Sequence, residues 1–194
     1  MNTPERQRGG RPIDHDLTDR LLTAGEAILA GPGVTRINSD AVCREVGAGK
    51  AGFYRRWRTI DAFLTDILLR AAALEVTHSV GVHVRWPADA LADVINHHVN
   101  HRLGTVAVGL LSYAGTCDPL RVAWTGPTGP PARLAEHCDE VAAMRLLDAS
   151  PYSLYRAVAP VIAVLRQDRA LSGGKIGALT IDQHVVGILA SDLS

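Results

Sequence analysis

The chain has 194 residues, 47% hydrophobic and 21% charged, with a formal net charge of zero. That length holds one ordinary domain, or a small domain fused to a medium one, and the composition is that of a globular protein, not a disordered or membrane-spanning one. No run approaches the roughly 20 apolar residues of a membrane span, and the first ten residues lack the apolar core of a signal peptide, so a soluble, cytoplasmic protein is expected.

Residues 1–13 are polar, rich in Gly and Arg and too poor in apolar residues to fold, which predicts a flexible basic arm. Helical periodicity then starts. Asp14 or Asp16 caps a first helix whose buried face is Leu17, Leu21, Leu22, Ala24, Ile28 and Leu29, and Gly31-Pro32-Gly33 stops it. A short second helix begins at Asn38 or Ser39, turns Val42, Cys43 and Val46 inward, and ends at Gly47. A third runs through Lys50-Ala-Gly-Phe-Tyr-Arg-Arg-Trp. Thr59 or Asp61 opens a long fourth helix, reaching to His78, with Phe63, Leu64, Ile67, Leu68, Ala71 and Leu74 on its inner face.

Beyond it the pattern stays helical. Trp86-Pro87 marks a boundary, and Leu91, Val94, Ile95, His98 and Leu103 form the next amphipathic stripe. Ala107 to Tyr113 is a short apolar segment, and Asp118 to Pro131 reads as a loop. Two late helices are expected, Pro151 to Leu171, interrupted at Pro160, and Ile176 to Leu193. Strand patterns are nearly absent, Val80 to Trp86 being the one weak candidate. The predicted class is therefore all-α, with 1–13 an arm, 14–60 a helix-turn-helix unit and 61–194 a helical body.

Three short helices with a four-residue link between the second and third are what a helix-turn-helix requires. Cys43 supplies the small side chain where the two helices cross, and Gly47 tolerates the positive φ of a sharp turn. Val42, Val46, Ala48 and Phe53 form the wedge between the helices, leaving Lys50, Gly52, Tyr54 and Arg55 on the outer face. Charge distribution agrees with a DNA partner: up to Ile60 ten bases stand against seven acids, and the remaining ten bases against thirteen acids, so the two parts carry +3 and −3.

The segment Asn38-Ser-Asp-Ala-Val-Cys-Arg-Glu-Val-Gly-Ala-Gly-Lys-Ala-Gly-Phe-Tyr-Arg-Arg-Trp, continuing into Asp61-Ala-Phe-Leu, resembles the DNA-binding segment of the tetracycline-repressor (TetR) family. Gly47, Lys50, Tyr54 and Trp57 match its pattern directly, and Asn38, Val42, Cys43, Phe53 and Phe63 match in type. The arm Gly10-Arg11-Pro12 is similar to the basic lead-in of many members. Three positions depart: Gly49 stands for the usual Ser or Thr cap, Gly52 sits inside the third helix at a cost of about 1 kcal/mol relative to Ala, and Ile60 replaces a Lys. The resemblance covers roughly Asp14 to Ala73. It implies a DNA-contacting set of Asn38, Ser39, Arg44, Gly49, Lys50, Ala51, Gly52, Tyr54 and Arg55. Lys50 and Tyr54 would bond phosphates; Ala51, Gly52 and Arg55 would lie at base edges; Arg6, Arg8 and Arg11 would enter the minor groove.

For the body, the same resemblance implies a cavity for a small-molecule effector and a homodimer through the last two helices. The polar and aromatic candidates for such a cavity are Trp86, His97, His98, His101, Tyr113, Cys117 and Trp124. His97 and His101 stand at i and i+4, which is also the spacing of a two-histidine metal site, but no Glu or Cys with ligand spacing accompanies them and no metal or cofactor is expected. The dimer faces are assigned to Leu154, Val158, Val161, Ile162 and Leu165 with Ile181, Val185, Val186, Ile188 and Leu189. Cys43, Cys117 and Cys138 form neither a CxxC pair nor a disulfide framework, and phosphate-loop, GxSxG and HExxH motifs are missing, so an enzyme is not expected. The readings in order are a double-stranded DNA-binding regulator, a helical ligand- or metal-binding protein without DNA binding, and a helical enzyme.

Overall fold

The computed structural model describes residues 15–31, 34–74 and 85–191, and among these every regular element is helical. The basic arm, His78 and most of the weak strand candidate lie outside the described residues. In chain order the helices are α1 (His15–Ala30), α2 (Ser39–Glu45), α3 (Lys50–Tyr54), α4 (Ile60–Leu74), α5 (Pro87–Asn100), α6 (Arg102–Ala114), α7 (Asp118–Thr125), α8 (Pro130–Ala143), α9 (Pro151–Ser172) and α10 (Ala178–Ala190), with a 3-10 turn at Val34–Arg36.

Two apolar clusters hold them. The first joins Leu21, Val42, Cys43, Phe53, Trp57, Phe63 and Ile67 to Leu103, Leu110 and Leu120, so its packing runs without a break from α1–α3 through α4 into α6 and α7. The second lies among α5, α8, α9 and α10 and contains Leu91, Ile95, Leu134, Val141, Leu154, Val158, Ile162, Leu165, Ile181, Val185 and Ile188. Removing those aliphatic surfaces from water is the main stabilising contribution, on the order of 2 kcal/mol per fully buried side chain.

Two expectations change, and one helix was not anticipated. Asp118 to Thr125 is a helix, not a loop: Pro119 suits its first turn, and Leu120, Ala123 and Trp124 pack on the first cluster, leaving only the residues around Gly126-Pro127-Thr128-Gly129 between helices. α8 follows, opened by Pro130, with Leu134, His137, Cys138 and Val141 on one buried face; this periodicity was legible but was masked by the Gly- and Pro-rich stretch before it. Pro160 does not interrupt α9, which runs continuously from Pro151 to Ser172 because the single stripe Leu154, Val158, Ile162 and Leu165 is buried along its whole length.

The last two helices also require a correction. Of the residues assigned to the dimer faces, Leu154, Val158, Ile162, Leu165, Ile181, Val185 and Ile188 are buried in the chain's own second cluster. Helices α9 and α10 are two-sided. Val164, Leu171, Leu179 and Val186 face outward, Val186 being 66% exposed, and Leu189 is at the margin of exposure.

Candidate nucleic-acid interface

The helix-turn-helix is assembled by local rules. Asn38, in extended conformation, caps α2 by accepting a hydrogen bond from the Ala41 N–H at 2.8 Å. Gly47 has φ of +66°, and the backbone turns there with Ala48 N donating to Cys43 O at 2.9 Å. A residue with a Cβ would hold that left-handed conformation at a cost of about 1–2 kcal/mol. Arg20 of α1 donates to Val46 O at 2.6 Å, tying the turn to the first helix.

Phe53 and Trp57 set the position of α3. Both are buried, their rings 5.3 Å apart, and both meet Phe63 of α4, at 5.0 and 4.8 Å between centroids. Trp57 Nε1 donates to Asp66 Oδ2 at 2.6 Å, a second link from the end of the recognition unit to α4. Neither the Trp57–Asp66 bond nor the aromatic triad was anticipated; the nine-residue spacing of Trp and Asp carries no helical or strand signal.

The outer face carries most of the expected residues. Lys50, Ala51, Tyr54 and Arg55 are exposed, Tyr54 by 50%. Tyr54 Oη and Ser39 Oγ are hydrogen-bonded at 3.1 Å, and Lys50 Nζ meets Asp40 Oδ1 at 2.6 Å, so α2 and α3 are joined across the outward surface. That carboxylate, by its hydrogen bond and then its charge, holds the Lys50 amine above its ordinary pKa. Asn38, Arg44 and Gly49 are exposed alongside, Gly49 beginning α3 with no side-chain cap.

Gly52 departs from the expectation. It turns toward α1, where an added Cβ would lie 3.3 Å from Leu17 Cδ2, so it is a packing position and not part of the outer face. The reason is the helical period: Gly52 neighbours Phe53 and Arg56 on the side where Arg56 donates to Thr18 Oγ1 of α1 at 2.7 Å.

The body candidates are not brought together in one site: His97, His98 and His101 adjoin one another, whereas Tyr113, Cys117 and Trp124 lie with the first cluster. Trp86 is 70% exposed at the start of α5, and Trp124 packs on the first cluster. Tyr113 reaches α4, donating to Asp61 Oδ1 at 2.6 Å; that bond first, then burial, raises its pKa to about 12. His97 and His98 are buried and meet His137 of α8, with His98 Nε2 and His137 Nδ1 2.9 Å apart, while the His101 ring is exposed 5.0 Å from that of His97. Among the described residues no group of three or more His, Cys, Asp or Glu side chains has a geometry that holds a metal ion, although the imidazoles adjoin. Burial first, then Asp139, raises the Cys138 thiol to about 12, leaving it protonated beside them.

A scan of family models finds no match to the sequence, and a search of curated proteins finds none either. Solved structures do match the fold. One described as a TetR-family transcriptional regulator from Mesorhizobium loti superposes with a TM-score of 0.67 over 93% of this chain and 98% of its own, at 13% identity. The chain has the TetR fold. A TetR-family regulator from Rhodococcus sp. gives 0.64 over 90% and 97% at 14% identity, and a transcriptional regulator from Streptomyces coelicolor 0.63 over 91% and 99% at 16%. The TetR fold accounts for the arrangement seen here, in which a three-helix head is packed through α4 onto a helical body. Among the described residues no helix is long and apolar enough to cross a membrane.

Proposed function

We propose that the protein is a transcription regulator that binds a palindromic DNA operator as a homodimer, acts as a repressor and is released by a small-molecule effector. The observation that carries this reading is the outward surface of α2 and α3: Lys50, Tyr54, Arg55 and Ala51 stand exposed on a short helix whose inner side is fixed by Phe53 and Trp57. A fully satisfied packing unit with no partner has no need of an exposed Tyr and three exposed cations, Arg44, Lys50 and Arg55, on one surface. Lys50 and Tyr54 bond phosphates, Arg55 reads a base edge, and Asn38, Ser39, Arg44 and Gly49 border the backbone track.

Dimerisation is supported by the second face of α9 and α10. Val164 and Leu171 on one helix and Leu179 and Val186 on the other are exposed apolar residues that a second copy would cover, and a palindrome whose half-sites lie roughly 34 Å apart calls for two heads. Effector release is supported by the connections of α4. It holds α3 through Phe63 and Asp66 and meets α6 through the Asp61–Tyr113 bond, so a ligand with unequal affinity for two placements of α4 would change the spacing of the heads. A further structural neighbour, at 17% identity, is named as a flavonoid-responsive regulator.

The test is selection of duplexes from a random pool by the purified protein, followed by anisotropy titration at two salt concentrations. Enrichment of an inverted repeat bound at two protomers per duplex is the expected result. Failure to retain any duplex at low salt would overturn the reading and favour a helical ligand-binding protein.

A further inference from the structure

Arg166 of α9 is a buried cation and Arg169 a part-buried one, and among the described residues neither has a carboxylate partner. Arg70 and Arg102 both reach Glu26, at 3.5 and 2.6 Å, and Arg133 reaches Glu136 at 2.6 Å; Arg166 and Arg169 reach no carboxylate among the described residues. Their partners are neutral. Arg166 Nε donates to His98 O at 3.0 Å, and Arg169 donates through Nη1 to Val99 O and through Nη2 to Thr105 Oγ1, the latter at 3.0 Å. Both therefore sit on the C-terminal carbonyls of α5, whose dipole offers about half a negative charge against two positive ones.

Burial lowers the pKa of both guanidinia, that of Arg166 to about 10, and leaves them charged at neutral pH. The Nη2 of Arg166 is buried with no hydrogen-bond partner. A buried guanidinium is stabilised far more by a carboxylate than by carbonyls alone, because the charge-assisted forked bond returns part of the lost hydration.

Arg169 also lines a cleft of about 240 Å³ between the head and the body. Leu29 and the 3-10 turn residues Val34 and Thr35 form one wall, and Thr105, Val108 and Ser112 of α6 another. The polar side chains lining the cleft are those of Thr35, Thr105, Ser112 and Arg169, and none of the lining residues is acidic. Two of Arg169's five N–H donors are committed to Val99 and Thr105, which leaves three for a ligand.

We propose that this cleft binds a small organic acid, with the carboxylate on Arg169 and the apolar part against Leu29, Val34 and Val108. The volume lies below the roughly 300–1,000 Å³ of drug-sized ligand sites, so the acid is a small one. None of the residues singled out in the sequence as effector contacts lines this cleft. The proposal deepens the regulator reading and rests on it for its consequence: a ligand held between α1 and α6 favours one placement of the head over another.

The experiment is calorimetric titration of the full chain with benzoate and hexanoate against their neutral counterparts benzamide and hexanol. Tighter binding of each acid than of its neutral partner, by about tenfold or more, is expected, with loss of acid binding in Ser112→Trp, which fills the cleft from its exposed side and leaves Arg169 in place. Arg169→Gln is expected to lose the acid preference, but it also removes a cap from α5. Ser112→Trp, checked for an unchanged melting temperature, therefore carries the decision. Equal binding of acid and neutral compound, acid binding unchanged in Ser112→Trp, or no acid binding at millimolar concentration each overturns the site. Acid binding that leaves duplex affinity unchanged removes the coupling to the head. Failure to bind any duplex, with acid binding as expected, removes the regulator reading and leaves the acid site standing.

Discussion

Lys50 Nζ lies 2.6 Å from Asp40 Oδ1, which joins the first residue of α3 to the first turn of α2 across the surface proposed to meet DNA. Both side chains are more than half exposed, so the pair contributes little to stability, and its effect is on where the amine is held and what it must give up to reach a phosphate. Asp40→Asn removes the competing carboxylate and one negative charge from the interface. The expected result is several-fold tighter binding to all duplexes alike, with a steeper dependence on salt, measured by anisotropy; unchanged affinity would show that the pair does not compete with DNA.

Replacement of the outward residues separates affinity from specificity. Lys50→Ala and Tyr54→Phe are expected to weaken binding to all sequences by similar factors, Lys50→Ala reducing the salt slope by about one. Arg55→Ala is expected to lose about 1–3 kcal/mol of discrimination at the base pair it contacts while retaining nonspecific binding. A parallel selection on the three variants distinguishes the two patterns.

Gly47→Ala tests the turn itself. Nothing lies within 4 Å of the added Cβ, so the whole effect is conformational and comes from the φ of +66°. A loss of about 1–2 kcal/mol in denaturant unfolding is expected, with the slope unchanged.

Tyr113 is expected to ionise late for a tyrosine. Its bond to Asp61 and its burial raise the folded-state pKa to about 12 from 10, so its contribution to stability is present in full below pH 10 and is lost as pH rises from 10 through 12. An absorbance titration of phenolate should show a late step near pH 12 that is absent in Tyr113→Phe. Loss of that link between α6 and α4 should also weaken the response of duplex affinity to an effector.

Val186→Arg places a charge on the outward face of α10 without entering the second cluster. The chain is expected to keep its helical circular dichroism and to sediment as a monomer, with duplex binding reduced strongly because two heads no longer act together. Val185→Arg, one residue away but buried, is expected to unfold the body instead, and the contrast identifies which side of α10 faces a partner.

Much of the head was legible because its signals are local. A cap at Asn38, a positive-φ turn at Gly47, and aromatic and aliphatic residues at helical spacing act within a few residues of one another, so near-neighbour signals mark α1 to α4 and place Lys50, Tyr54 and Arg55 on the third helix. Gly52 was misjudged because a glycine has no polarity to show which side it faces; its neighbour Leu17 is 35 positions away.

The body depended on packing. Periodicity marks a stripe as buried but not what buries it, and the stripes of α9 and α10, assigned from sequence to a partner, close against α5 and α8 of the same chain. The unanswered charges of Arg166 and Arg169 are likewise invisible in the sequence, where net charge is zero. By itself the sequence determined that helices form, where the turn falls and which side chains head the third helix, since those follow from hydrogen bonding and sterics between near neighbours. Only the tertiary structure decided which apolar faces remain open and that Arg166 is buried and Arg169 part-buried on α9 with no carboxylate partner among the described residues, because burial is a property of elements brought together from distant parts of the chain.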